Sequence, residues 1–263
     1  MSEPTCTPSR DDPFFIGWLP VPPGYVRFLV PVVAVLLAAA GVSGALLAFG
    51  QRSPGTGTWD DDTPRPFEGV AYASPYALLR VPGEKPGDPP RTVILVEEGK
   101  FGAADRVWQF DGRPVRVRGT LLHRDECWML ELAADETGIQ AIGTMSPEDE
   151  RHLRRPPPRD LGRVTLRGEI IDSKCYLGAM KPGGGKTHKG CAALCLSGGV
   201  PPMFVTRDAA GQEAYYLLTN PEGGPLGQAA VEYVGDPVEL TGDLEQQGDL
   251  SVLKATAPDI RRR

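Results

Sequence analysis

At 263 residues the chain is long enough for two small domains and their connections. A formal net charge of −6 and an aromatic content of only 7% give no support for a phosphate-binding surface or a base-stacking platform, so nucleic acid is not expected as a partner. The 32 Gly and 27 Pro suit short strands joined by turns and speak against a helical bundle.

Residues 1–24 read as a cytoplasmic tail, with an amphiphilic patch from Phe14 to Pro20 that suits a membrane interface. Cys6 in this tail is expected to be reduced. Residues 25–50 read as a transmembrane helix. Its stretch Phe28–Phe49 carries no charge and is long enough to cross about 30 Å of hydrocarbon. Pro31, Gly41 and Gly44 inside it are tolerated better in membrane helices than in soluble ones. The long tail before the span favours a retained anchor over a cleaved signal peptide. Arg10 and Arg27 before it, against Arg52 after it, give a slight bias toward a cytoplasmic N-terminus. The expectation is a single-pass protein of a bacterial inner membrane with its C-terminal domains in the periplasm, where disulfides form.

Residues 51–66 are rich in Gly, Pro, Thr and Asp and read as a linker, with Asp60-Asp61-Asp62 as a solvated run. From there the chain repeats itself. Gly112-Arg113-Pro114-Val115-Arg116-Val117-Arg118-Gly119 aligns with Gly235-Asp236-Pro237-Val238-Glu239-Leu240-Thr241-Gly242, and Gly69-Val70-Ala71 aligns with Gly168-Glu169-Ile170. The first copy spans 67–145, with strands expected at Glu68–Ala73, Thr92–Glu97, Pro114–Leu122 and Cys127–Leu132. Residues 146–160 hold a short helix capped by Ser146 and a stiff proline stretch, Pro156-Pro157-Pro158. The second copy spans 161–263, with strands expected at Arg163–Ile171, Met203–Arg207, Ala214–Leu218, Pro237–Leu244 and Leu250–Ala255. The fold class is therefore mainly β: one N-terminal transmembrane helix and two repeated small barrels.

The Gly-x-Pro-Val-x-Val/Leu-x-Gly pattern resembles the later strands of OB-fold barrels, across most of residues 67–255. The run Asp172-Ser173-Lys174-Cys175-Tyr176, followed by His188, Cys191 and Cys195, also resembles uncharacterised bacterial membrane-anchored proteins. That resemblance implies architecture and compartment, and no activity.

What the second copy adds is a loop from about Leu177 to Pro202. Thr187 is placed to cap a short helix that Gly198-Gly199 ends. On it His188, Cys191 and Cys195 fall at i, i+3 and i+7, one stripe. If that stripe faces Cys175, four soft ligands converge. The default in an oxidising compartment is a disulfide from Cys175 to Cys191 or Cys195. The alternative is copper or zinc held by Cys175, Cys191 and Cys195 with His188 nearby, although positions i and i+7 lie about 10 Å apart on a regular helix. Thiol–disulfide exchange through Cys191 and Cys195 is a third use, weakened by the lack of a C-x-x-C spacing.

Gly183-Gly184-Gly185-Lys186-Thr187 imitates a phosphate loop but lacks its first glycine, where Met180 stands, and the parallel strand and long helix that flank one, so no nucleotide is expected. Cys127 reads as a core thiol. Asp172 serves either as a base or as a turn residue. No catalytic constellation and no cofactor fingerprint appears, so an enzyme is not expected. The leading expectation is a membrane-anchored binding or assembly protein, accessory to a membrane redox or envelope maturation system and partnered there by another protein. Copper or zinc delivery is the runner-up, and thiol redox chemistry comes third.

Overall fold

The computed structural model describes residues 23–50, 55–85 and 87–263, without the side chains of residues 61 and 62. Cys6 and the Phe14–Pro20 patch lie outside the described residues. Helix α1, Pro23–Gly50, has 28 residues and no buried side chain, and is long and apolar enough to cross a membrane. A signal sequence passes the same test. From Pro54 onward the chain forms one compact unit.

Within that unit two barrels follow one another. The first is built from β1 (Thr58–Tyr72), β2 (Leu78–Val81), β3 (Arg91–Val96), β4 (Pro114–Arg124) and β5 (Cys127–Leu132), with β6 (Ile139–Ala141) added beside β4. Strand β1 pairs with both β2 and β4, and β3 runs parallel to β5, so the sheet closes on itself. Helix α2 (Ala104–Val107) lies between β3 and β4, and α3 (Pro147–Leu153) joins the two barrels. The second barrel repeats the plan with β7 (Arg159–Asp172), β8 (Pro202–Arg207), β9 (Glu213–Thr219), β10 (Pro237–Gln247) and β11 (Leu250–Lys254), and β12 (Ile260–Arg262) flanks β10. Again the parallel pair, β9 with β11, completes the closure.

The registers verify the repeat residue by residue. Gly69 faces Val115 across β1–β4, and Gly168 faces Val238 across β7–β10. A Cβ on Gly119 would lie 2.4 Å from the Glu131 carbonyl oxygen, and one on Gly242 would lie 2.4 Å from that of Lys254. No side chain fits so close to a backbone oxygen, which explains the same glycine in both copies.

Some boundaries differ from expectation. Strand β1 starts at Thr58, inside the stretch read as linker, and carries a register shift between Asp60 and Arg65. Strand β2 has no counterpart among the expected strands: its four residues are all buried, so the sequence shows no alternation there. Ser146 caps α3 as expected, accepting from the Asp149 N–H.

Each barrel has its own core, around Leu79, Leu95 and Leu130 in the first and Ile170, Phe204 and Leu253 in the second. A third cluster is shared. It joins Tyr76, Ile94, Leu122 and Met129 of barrel one to Ile171, Leu177, Met203 and Leu217 of barrel two, and includes Cys175 and Cys195. The barrels are thus docked through a common apolar interior, and the cysteine loop is part of the seam.

Candidate metal centre

The loop between β7 and β8 starts with a single wide turn, Cys175–Ala179, in which the Met180 N–H reaches back to the Cys175 carbonyl at 3.2 Å. It then folds into α4, Lys189–Ser197. The helix begins one residue later than a Thr187 cap implies. His188 occupies the cap position, and its side chain makes no capping bond because it turns to Asp172 instead. Gly198 ends the helix as expected, its N–H returning to the Leu194 carbonyl at 3.0 Å.

This geometry brings the predicted residues together. Cys175 Sγ lies 4.0 Å from Cys191 Sγ and 4.0 Å from Cys195 Sγ. Cys175, His188 and Cys191 hold their ligand atoms within 4.8 Å of one another, as do Asp172, Cys175 and Cys195. His188 groups with Cys191 and not with Cys195, in keeping with the helical spacing. The expected disulfide from Cys175 to Cys191 or Cys195 is not formed. An S–S bond is about 2.05 Å long, and Cys127, Cys175, Cys191 and Cys195 are all free thiols. Cys127 stands apart, packed on the shared cluster, where burial pushes its thiol up to about 12.

The residues before Cys175 each have a defined task. Fully buried Asp172 accepts the Cys175 N–H through Oδ1 at 2.8 Å and pairs with His188 Nε2 through Oδ2 at 3.0 Å. A carboxylate on Nε2 favours the proton there and leaves the Nδ1 lone pair for a ligand. Ser173 Oγ donates to the Pro201 carbonyl at 2.7 Å and so ties the two ends of the loop. Lys174 is buried, ion-paired with Glu131, and donates to the carbonyls of Glu97 at 2.8 Å and Gly99 at 2.7 Å. Tyr176 donates to Glu213 at 2.8 Å, with the Arg124 guanidinium stacked 4.1 Å above its ring.

Sequence reasoning missed one participant entirely. Lys100, from the loop after β3 in barrel one, places Nζ 2.8 Å from Cys191 Sγ and 3.7 Å from Cys195 Sγ. Lys174 anchors the chain just before it, and the Gly102 N–H donates to the Gly198 carbonyl at 3.0 Å just after it. Nothing local in Gly99-Lys100-Phe101 signals a partner more than 90 residues away. The sequence offers Asp172 as a base or a turn residue, and its place three residues before Cys175 at a strand end is the signal of its role.

The electrostatics separate the thiols. The hydrogen bond with Cys175 pulls the Cys195 thiol down to about 7 against the opposing effect of burial, and Lys100 adds to the pull. Cys175 is pushed up by the same contact, by burial and by Asp172. The hydrogen bond to Cys191 and the nearby sulfurs raise the Lys100 ammonium. A thiol ionising near neutrality is a ready metal ligand or nucleophile. No family model, curated protein or solved structure matches this chain.

Proposed function

We propose that the protein is a membrane-tethered binder of a thiophilic metal ion, cuprous copper or zinc, held by Cys175, Cys191 and His188, with Cys195 beside Cys175. One observation carries the reading: Cys175 Sγ stands 4.0 Å from two further free sulfurs. A tetrahedral ion with metal–sulfur bonds of about 2.3 Å keeps its sulfurs about 3.8 Å apart. The gap is therefore the width of an ion and far too wide for a disulfide. The donor set is soft, which suits zinc and cuprous copper and not magnesium or calcium. The carboxylate of Asp172 behind His188 is the usual support for a metal-bound imidazole.

The ion would sit at the seam between the barrels, with Cys191 only half-buried. Phe101 and Leu194, both 61% exposed, adjoin the site residues in sequence and supply apolar surface for a partner. This gives the expected binding and assembly role a content: exchange of the ion with another membrane or envelope protein. The orientation proposed is an anchor at α1 with the barrels outside the cytoplasm, which C-terminal reporter fusions test.

The metal reading is tested by elemental analysis of anaerobically purified protein after reconstitution with cuprous copper or zinc. One ion per chain is expected, lost in Cys175→Ser and kept in Cys127→Ser. Absence of both metals from the wild-type protein, or equal retention in Cys175→Ser, overturns the reading. Alkylation before and after reduction reports in the same sample whether the thiols pair instead.

A further inference from the structure

The metal site is covered by a cation from the other barrel. Lys100 Nζ is 2.8 Å from Cys191 Sγ and 3.7 Å from Cys195 Sγ, so it uses the sulfur lone pairs that a metal would need. The backbone around Lys100 is held from both sides by barrel two. Lys174 donates to the Gly99 carbonyl at 2.7 Å, and the Gly102 N–H donates to the Gly198 carbonyl at 3.0 Å. Contact with α4 is close enough that a Cβ on Gly198 would fall 1.9 Å from the Lys100 carbonyl oxygen. The backbone is pinned there, while the side chain ends in a compact charge on a flexible four-carbon stem. Lys100 is partly exposed and has solvent within reach.

We infer that Lys100 is a built-in competitor for the metal: its ammonium engages the sulfurs of the thiol cluster and must swing out to solvent when an ion binds. This inference rests on the metal reading above and adds what sets the affinity of that site. A metal ion and an ammonium cannot share the same sulfurs without strong repulsion in a half-buried pocket. Every contact that Lys100 makes with these sulfurs is therefore subtracted from metal affinity. The cation belongs to barrel one and the ligands to barrel two, so the docking of the barrels tunes the site. A competitor of this kind weakens binding and suits an ion that is handed on.

The test uses the full-length protein, reduced and anaerobic, with zinc or cuprous ion titrated against a chelator of known affinity. Lys100→Met removes the charge and keeps the chain length. It should bind about ten- to a hundredfold more tightly, the worth of a hydrogen bond to a charged group. Lys100→Arg keeps the charge and should stay near wild type. Amine-directed labelling should rise at Lys100 when the wild-type protein is loaded. Equal or weaker binding by Lys100→Met, with wild-type thermal stability, overturns the inference and leaves the metal reading standing, as does labelling of Lys100 that ignores the metal. Failure of both wild type and Lys100→Met to bind either ion overturns the metal reading and this inference with it.

Discussion

Asp172 and His188 meet through a 3.0 Å hydrogen bond with both side chains buried, one from the last residue of a barrel strand and the other from the start of the inserted helix. This contact orients the imidazole toward the cysteines. Asp172→Asn keeps the shape and removes the charge. It should weaken metal binding about ten- to a hundredfold, the usual effect of losing a carboxylate behind a ligating histidine. Chelator competition on protein with an unchanged melting temperature measures this. Wild-type affinity in the variant would mean that His188 is not a ligand.

Much of the scaffold was legible in the sequence because it is duplicated. The aligned glycines 119 and 242 both lie under a neighbouring carbonyl, and the helical stripe His188, Cys191, Cys195 does turn toward Cys175. What stayed hidden are relationships that exist only after the barrels dock. Lys174 pairs with Glu131, Lys100 reaches Cys191, and Arg124 reaches Glu213, each across the seam. No periodicity encodes such contacts, since each residue sits in a locally ordinary strand end or loop. The expected disulfide was a default drawn from the compartment. The geometry instead separates the sulfurs by 4.0 Å.

Gly198 is a test of how tightly the seam is closed. Its missing side chain lets the Lys100 carbonyl oxygen approach to a position 1.9 Å from where a Cβ would be. Backbone on both sides leaves nothing flexible to yield. Gly198→Ala should cost about 1–3 kcal/mol, as other overpacked sites do. For a unit of this size that lowers the melting temperature by about 3–10 °C. Scanning calorimetry checks it, and an unchanged transition would show that the two barrels are not held through this contact.

Helix α1 predicts fractionation. With 28 residues it is long and apolar enough to cross a membrane. The full-length protein should stay in the membrane pellet through high-salt and alkaline washes. A chain beginning at Pro54 should be released to the soluble fraction with its thermal transition intact, since Pro54–Arg263 is compact by itself. Release of the full-length chain by salt would show that α1 does not span.

Arg124 of barrel one and Glu213 of barrel two form a salt bridge at 2.9 Å, with side chains only 8% and 6% exposed. Burial pushes the Glu213 carboxyl upward, but hydrogen bonds from Arg207, Tyr215 and Tyr176, together with the Arg124 charge, outweigh it and hold the group below the usual carboxylate range. A depressed folded value means that the contribution is complete above the unfolded value, about 4.3, and is lost as pH falls through the folded one. Glu213→Gln should therefore destabilise the protein near neutrality by about 3–5 kcal/mol, because Arg124 is left buried and unpaired. Below about pH 4 the wild type should lose stability more steeply than the variant, so that their melting temperatures converge. Tyr176 follows Cys175 directly and donates to Glu213 at 2.8 Å, so the same loss should loosen the cysteine loop. Melting curves for both proteins between pH 3 and pH 7 decide the matter. A constant gap across that range would show that Glu213 is not ionised in the folded seam.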